Sequence, residues 1–366
     1  MKVCWFADAR SPHIHTLAGA LTRLGGSVHV VTHKPAAVAG ATVERYSIPG
    51  PGVANPRRWA GRRQHYLRNF LRRFDLVNVH FLEDWGFEPE TIYSGCFVAT
   101  AWGSDIVPPP DEHRPTPELL AARRAMLCHA TAVTACGATF ARCVADFAGL
   151  PRHRVEVVPF GVDLQRFQRG EARGVTGEQT ALRVGYLKGF RAVYGPDTLI
   201  RAIPRVIERH PDTRFEFAGD GPVLAECQCL ASHLGLDKHI TWLGRVSHDD
   251  VPDLLGRWNI SVISSRFEAF GVAALESSAM GVPVVASDVC GLRDTVRHGE
   301  TGVLVPQGDE AAVAEAIILL LQNEDQRRRL GQAGRRLVER EFDLEHVGRQ
   351  WVEMYERARD RATCMV

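Results

Sequence analysis

The chain has 366 residues and a formal net charge of only +1, from 44 basic and 43 acidic side chains. This balance excludes the strong positive field with which many proteins attract nucleic acid, so we expect no nucleic-acid partner. Hydrophobic residues make up 45% of the chain, enough for two packed cores, and the length favours two domains.

Cysteine usage and hydropathy indicate where the protein works. The nine cysteines are scattered, an odd number without paired metal-ligand spacing, so reduced thiols of a cytoplasmic protein are the favoured interpretation. The first apolar strand reaches Asp8 too soon to be a signal peptide, and no apolar run approaches the ~20 residues that span a bilayer. The sequence therefore predicts a soluble cytoplasmic protein, and attachment to a membrane surface stays open.

The first half of the chain alternates short apolar strands with amphipathic helices. Such alternation predicts a parallel sheet that helices cover on both faces. The polar, glycine-rich stretch 168–180 is interpreted as a linker. Strands are expected at residues 3–7, 28–32, 76–80, 97–100, 132–135 and 155–159, and helices at 15–24 and 119–129.

The same pattern restarts after the linker. Pro204 lies inside a predicted helix at 197–209 and is expected to kink or locally break it. The fold class is therefore α/β, with two doubly wound, Rossmann-like domains facing across a cleft and ligands at the carboxyl ends of the strands. Strands are expected at 182–187, 215–218, 240–243, 261–264, 284–287 and 303–305, and further helices at 247–258 and from Glu310, Glu324 and Leu344 onward.

Two glutamates flank a predicted helix start in the second half. An apolar strand runs into Glu268, a Phe270-Gly271 step opens the helix, and Glu276 lies on it, with seven residues between the two carboxylates. A helix N-terminus suits a phosphate, and carboxylates accept paired hydrogen bonds from the neighbouring hydroxyls of a sugar. This combination describes a site for a sugar nucleotide. The alternative is an ordinary strand–helix–strand unit with surface glutamates.

Residues 268–309 resemble the donor site of retaining glycosyltransferases of family 4, which have the GT-B fold, and the similarity extends over most of the chain. The resemblance implies an acceptor-binding domain at 1–164, a nucleotide-sugar-binding domain at 165–345, and a helix at 346–366 that crosses back to the first domain. No metal-binding D-x-D-like motif stands out, so we expect a metal-independent enzyme without a cofactor.

The resemblance also assigns the donor-binding residues. Glu276 would bind the ribose hydroxyls. Glu268, which we count among the catalytic residues, would hold a hydroxyl of the transferred sugar. A glycine at 271 would let the ligand approach the backbone closely. The other residues expected to bind the donor through backbone or side chain are Phe270, Gly271, Val272, Gly219, Gly221, Arg245 and Val246.

Departure of a nucleotide diphosphate needs positive charge where negative charge develops. Related enzymes use an Arg at the end of a strand and a Lys about seven residues on, but here Tyr186 replaces the Arg and Val193 or Tyr194 the Lys. We therefore expect Lys188 to be the principal catalytic cation and Arg191 the second. The alternative is that both are solvated loop charges.

The acceptor is expected in the first domain, where the sequence departs from the family again. Trp102 and Asp105 are expected at the acceptor cleft, in a segment where Trp102 replaces a His that commonly contacts the donor sugar. A Trp cannot act as a base, but it can stack on a sugar. His13 and His80 follow or end predicted strands, and either could approach the acceptor hydroxyl. A single His, however, more often has a structural role.

The function that follows is transfer of a sugar, with retention of configuration, from a UDP- or GDP-sugar to an acceptor hydroxyl. One rival is a nucleotide-sugar epimerase or hydrolase of the same fold. The other is a non-catalytic subunit that binds sugar nucleotides, since the Arg, Lys and His positions all depart from the family.

Residues 57–73 carry seven Arg and no acidic side chain. Apolar residues recur among them at helical spacing, so the segment could lie on an anionic membrane at the cytoplasmic face or bind an anionic acceptor. The favoured interpretation is a helix packed on its domain with an exposed basic face.

Overall fold

The computed structural model describes residues 1–46, 56–83, 85, 95–108, 115–168 and 181–364, with the backbone alone for 56–63. These residues form two compact units. The N-terminal unit comprises Met1–Pro108, His113–Gly161 and Leu344–Val366, and the C-terminal unit comprises Val162–Asp343. The chain passes between the units at residues 161 and 343, whereas we placed the domain boundaries at 164 and 345. Most of the proposed linker, 169–180, lies outside the described residues.

The described strands of the N-terminal unit form one parallel sheet in the order β3-β2-β1-β4-β5-β6-β7. Strands β4 and β5 are buried along their whole length, as their unbroken apolar runs predict for a parallel sheet covered on both faces. The strands are β1 Lys2–Phe6, β2 Ser27–Thr32, β3 Ala41–Arg45, β4 Leu76–His80, β5 Cys96–Ala101, β6 Ala132–Ala135 and β7 Val155–Val157.

Helices cover this sheet, and the last one closes its core. This last helix is α12, Leu344–Cys364. Its residues Trp351, Met354 and Tyr355 pack into the same apolar cluster as β1. The Tyr355 hydroxyl accepts hydrogen bonds from Trp5 Nε1 at 3.0 Å and from Asn78 Nδ2 at 2.8 Å. The C-terminal helix is therefore part of the N-terminal unit. The helices of this unit are α1 Pro12–Arg23, α2 Pro56–Leu71, α3 Pro117–His129, α4 Ala138–Ala148 and α12 Leu344–Cys364.

The described strands of the C-terminal unit also form one parallel sheet, in the order β10-β9-β8-β11-β12-β13. The chain order reverses between β8 and β11, which is where open α/β sheets bind their ligands. The strands are β8 Arg183–Leu187, β9 Arg214–Ala218, β10 Ile240–Gly244, β11 Ile260–Ile263, β12 Val284–Ser287 and β13 Gly302–Val305. The helices are α5 Pro196–Arg209, α6 Leu224–His233, α7 Val251–Gly256, α8 Val272–Ala279, α9 Leu292–Thr295, α10 Glu310–Gln322 and α11 Glu324–Leu337.

Three local predictions were wrong or incomplete. Helix α5 continues through Pro204 to Arg209, so the local break does not occur. Ser247 caps a short 3-10 turn, His248–Asp250, and the helix that follows ends at Gly256 instead of residue 258. The sequence analysis also missed the edge strand β3 and helix α4.

Candidate functional site

Two of the predicted catalytic residues form an ion pair at the carboxyl ends of β8 and β11. Lys188 directly follows β8, Glu268 follows β11, and Lys188 Nζ lies 2.6 Å from Glu268 Oε2. The side chains are only 19% and 13% exposed, which shields the pair from solvent screening. The ammonium group also lies 4.6 Å from the ring centroid of Tyr194, within range of a cation–π contact.

The ion pair keeps Lys188 protonated although its side chain is mostly buried. Burial opposes the ammonium form, but Glu268, with further contributions from Tyr194 and Glu276, raises the pKa of Lys188 above its ordinary value. Lys188 is therefore a cation at neutral pH. This finding favours a site over a solvated loop charge at this position.

A glycine turn after β9 supports the loop that carries Lys188. The backbone N–H of Lys188 donates to Ala218 O at 3.1 Å, and that of Phe190 donates to Asp220 O at 2.9 Å. A Cβ on Gly219 would come within 2.0 Å of Lys188 O, and one on Gly221 within 2.3 Å of Phe190 O. These two glycines, which we expected at the donor, let the turn pack directly against the Lys188 loop.

Helix α8 begins where the sequence predicts. Gly271 is its N-cap at φ +92°, and a Cβ there would meet Leu292 Cδ2 at 2.6 Å. The backbone conformation and the packing of α9 thus require glycine by themselves, and the close approach of a ligand to Gly271 stays a prediction. Thr295 Oγ1 donates to Phe270 O at 3.1 Å and holds this turn, and the Phe270 side chain is buried against Phe342. Val272 is the first residue of the helix.

Glu276 lies in the middle of α8 and contacts a residue that the sequence analysis missed. His248 Nε2 is 3.2 Å from Glu276 Oε1, and only 11% of the glutamate side chain is exposed. The capping position of Ser247 places His248 at the start of a turn, but no local spacing links it to a carboxylate 28 residues later. His248 therefore joins the candidate site.

The remaining residues that are expected to bind the donor lie in the loops that follow β8 and β10. Arg191 is half-buried, three residues beyond Lys188. Arg245 is exposed and Val246 half-buried directly after β10. The backbone N–H of Gly219 donates to Gly244 O at 2.7 Å, which ties the end of β10 to the glycine turn.

In the N-terminal unit, Asp105 organises the loop that carries Trp102. Its carboxylate is fully buried and accepts hydrogen bonds from the backbone N–H groups of Leu82, Trp102 and Gly103 at 2.7–3.2 Å. Burial raises the pKa of Asp105, while those N–H groups and Arg123 oppose the rise. We expected Asp105 at the acceptor cleft. Its side chain is buried, and it positions the two loops that it joins.

Both candidate histidines lie beside Trp102. His13 stacks on Phe160, with ring centroids 4.6 Å apart, and meets Trp102 edge to face at 5.7 Å. His80 is 1% exposed and is surrounded by aromatic rings, among them Trp5 at 4.8 Å and Trp102 at 5.8 Å. Burial lowers the pKa of His80 to about 3, so it is a weak base and is better suited to hydrogen bonding than to removing a proton.

Neither a metal-binding cluster nor a membrane-spanning helix occurs among the described residues. They contain no group of three or more His, Cys, Asp or Glu side chains that could hold a metal ion. No helix among them is both long enough and apolar enough to cross a membrane.

The chain has two Rossmann-like units, each built on a parallel sheet. In the second unit, a Lys–Glu pair and a helix N-terminus lie at the carboxyl ends of the central strands, and these features define a protein of the GT-B class. Two family models match the chain: "Glycosyltransferase Family 4" over residues 11–166 and "Glycosyl transferases group 1" over residues 169–337. The chain therefore belongs to the family-4 type of glycosyltransferases.

Named relatives and solved structures agree with this family. The chain is 29% identical to the N-acetyl-alpha-D-glucosaminyl L-malate synthase of Bacillus anthracis, over 46% of this chain and 44% of that one. It is 31% identical to a GDP-mannose-dependent alpha-(1-6)-phosphatidylinositol monomannoside mannosyltransferase of Mycobacterium tuberculosis, over 51% of this chain and 52% of that one. The chain thus spans about half the length of the curated relatives it matches.

The fold similarity covers nearly the whole chain. Sucrose-phosphate synthase from Thermosynechococcus elongatus aligns with a TM-score of 0.82 and 22% identity over 98% of both chains. HepE of Anabaena, solved in complex with UDP and glucose, aligns with a TM-score of 0.81 and 18% identity over 98% of this chain and all of that one.

Proposed function

We propose that this protein is a retaining glycosyltransferase, which moves a hexosyl group from a nucleotide-diphosphate sugar to an acceptor hydroxyl. The observation that carries the proposal is the buried ion pair of Lys188 and Glu268 beside the N-terminus of α8. It combines a fixed cation, the N-terminal end of a helix and a carboxylate that can accept hydrogen bonds from hydroxyls, all at the carboxyl ends of neighbouring strands.

Each member of the pair has a part once donor binds. Lys188 stabilises the negative charge that develops on the departing diphosphate, with Arg191 as a second cation and the first amides of α8 as further donors. Glu268 accepts a hydrogen bond from a hydroxyl of the transferred sugar. Donor binding therefore exchanges the Lys–Glu contact for contacts to phosphate and sugar, and the two side chains are already held in place.

Glu276 supplies the ribose contact. Its two carboxylate oxygens can accept from the adjacent hydroxyls, and His248 fixes the orientation of the carboxylate through Oε1. Arg245 and Val246, at the end of β10, lie next to the turn of Gly219 and would contact the base. UDP and GDP both occur among the names of relatives and structural neighbours, so the base is open.

The reaction needs no nucleophilic side chain. The acceptor hydroxyl attacks the face from which the diphosphate departs, through an oxocarbenium-like state, and the departing phosphate accepts the hydroxyl proton. The N-terminal unit binds the acceptor. We further propose that turnover is independent of added metal and that the protein works in the cytoplasm.

The proposal is tested with a panel of nucleotide sugars. A thermal-shift screen identifies the donor, because a ligand at 100 times its dissociation constant stabilises the folded protein by ~2.7 kcal/mol. Release of nucleotide diphosphate is then measured with and without candidate acceptors, in buffer containing EDTA. Release that depends on acceptor supports transfer; release without acceptor indicates a hydrolase or epimerase; binding without release indicates a non-catalytic subunit.

A further inference from the structure

The N-terminal unit has a cavity of about 210 Å³ where β1 and β4 end. Of the lining residues, Ala7 and Asp8 follow β1 and Trp102 follows β5. His80 ends β4, and Phe81, Glu83 and Trp85 come after it. The order of the sheet reverses between β1 and β4, and ligands of doubly wound sheets bind at such a reversal. The cavity is smaller than the ~300–1,000 Å³ typical of pockets for drug-sized ligands, so it suits a single ring.

The lining combines aromatic rings with hydroxyl-binding groups. Phe81, Trp85 and Trp102 offer flat apolar surfaces, while Asp8 and Glu83 offer carboxylates. Ser11 and His80 complete the polar part. Rings that cover the apolar face of a sugar, and carboxylates that accept from its hydroxyls, are complementary to a pyranose.

Several buried polar atoms at this cavity have no hydrogen-bond partner among the described residues. They are both ring nitrogens of His80 and the indole nitrogens of Trp85 and Trp102. Buried polar groups are nearly always paired, and an unpaired one costs ~1–3 kcal/mol. Three such side chains around one cavity indicate a site built for a ligand with several hydroxyls.

The loops that line the cavity are held in a strained conformation. Phe81 has φ +61°, and it is the single non-glycine residue with a positive φ in the described part of the chain. Buried contacts hold the strain: Asp105 accepts from Leu82 N at 3.1 Å, and Arg123 Nε donates to Leu82 O at 2.7 Å. Strain that is fixed in this way occurs mostly at functional sites.

The charges favour a neutral ligand. Asp8 pairs with Arg10 at 3.1 Å and with Lys34 at 3.8 Å, so these two cations already have a carboxylate partner. Glu83 adds a second negative charge to the lining. The two carboxylates and the two cations balance, so these groups offer a phosphate no net attraction, whereas sugar hydroxyls can donate to the carboxylates.

We propose that this cavity binds a neutral pyranose of the acceptor, and that the acceptor is therefore a carbohydrate or glycoconjugate with an uncharged sugar at its attacking end. The assignment to the acceptor rests on the proposed glycosyltransferase function. Binding of a neutral sugar in the cavity does not depend on it.

Saturation-transfer difference NMR tests the proposal on the full chain without donor. The probes are the methyl pyranosides of glucose, mannose, galactose and N-acetylglucosamine, with glycerol 3-phosphate as the anionic probe. We expect at least one neutral pyranoside to bind and glycerol 3-phosphate to bind more weakly. Glu83→Gln and Asp8→Asn preserve the side-chain shape, and each should lower the affinity for that pyranoside by about tenfold or more. Glu300→Gln, a matched change at an exposed carboxylate of the other unit, should not.

Three outcomes would overturn the proposal: no pyranoside binds to the wild type, both cavity variants bind as the wild type does, or binding is lost in Glu276→Ala but kept in Glu83→Gln. The last would place the sugar at the donor site. UDP and GDP are titrated in parallel and should bind Glu83→Gln as tightly as the wild type. If neither nucleotide binds the wild type, the proposed donor site fails while the sugar result stands on its own.

Discussion

His248 Nε2 lies 3.2 Å from Glu276 Oε1, so the turn after β10 holds a carboxylate in the middle of α8. The contact fixes one oxygen of Glu276 and leaves the group 11% exposed. A carboxylate that is already oriented loses little entropy when it accepts hydrogen bonds from a diol.

The first prediction therefore concerns the affinity for the nucleotide. Glu276→Gln should weaken binding of the nucleotide sugar by about ten- to a hundredfold, because it removes charge-assisted hydrogen bonds worth ~1.5–3 kcal/mol. His248→Ala should weaken binding less, since it removes only the orienting contact. Isothermal titration calorimetry measures both, with Glu300→Gln as the control. Unchanged affinity in a folded Glu276→Gln variant would reject the ribose assignment.

A second prediction concerns the charge at the diphosphate. Lys188→Ala should lower kcat by ~10²–10³, because it removes a preorganised cation, and should lower it more than Arg191→Ala does. Lys188→Arg should recover part of the loss. Steady-state kinetics compare the three variants, and thermal unfolding checks that Glu268 without its partner leaves the fold intact. Near-normal turnover of Lys188→Ala would mean that the cation comes from elsewhere.

Much of the architecture follows from the sequence because buried parallel strands appear as unbroken apolar runs. Strands β4, β6 and β12 match the predicted bounds, and α10 and α11 begin at the predicted residues. Strand β3 was missed because it is a half-exposed edge strand without such a run. Helix α4 was missed because its buried face includes small residues, Ala141 and Ala145, and its N-cap Gly137 gives no side-chain capping signal.

The candidate site was predictable as a set of residues but not as a set of contacts. Lys188 and Glu268 were each identified from their strand ends, yet only the sheet order brings β8 next to β11 and the two charges together. The pairing of His248 with Glu276 likewise depends on tertiary packing. Burial of Asp105 and the strain at Phe81 depend on loops whose geometry no local pattern encodes.

The stereochemistry of the product tests the family mechanism directly. An α-linked nucleotide sugar should give an α-linked product, because acceptor attack and diphosphate departure share one face. Proton NMR of the new anomeric centre distinguishes the two outcomes within the first turnovers. A β-linked product from an α-linked donor would contradict the retaining mechanism.

Acid should destabilise the fold through His80. Its folded pKa of about 3 lies below the ~6.5 of an unfolded His, so the unfolded chain binds the proton first as the pH falls. The stability that neutral His80 contributes is complete above pH ~6.5 and is lost as the pH falls towards 3. Between pH 7 and 5 the free energy of unfolding should fall by about 2 kcal/mol more in the wild type than in His80→Gln, because Gln does not titrate. Urea denaturation at both values measures this; parallel losses would show that His80 is not buried neutral.

The last prediction concerns the basic segment 57–73. Its helix is present, α2, and Leu67, Phe70 and Leu71 are buried, so these three side chains pack on their own unit and are not free to enter a membrane. The arginines would contribute an electrostatic contact of ~1 kcal/mol per cation near an anionic surface. The wild type should sediment with vesicles containing phosphatidylserine at low salt and be released at high salt. Replacing Arg62, Arg63, Arg72 and Arg73 by Gln should abolish sedimentation, although the first two side chains lie outside the described residues. The matched control replaces four exposed arginines of the other unit, Arg328, Arg329, Arg336 and Arg340, and should sediment like the wild type. If the wild type stays in solution with these vesicles at low salt, the segment is a solvated basic face and the membrane hypothesis is wrong.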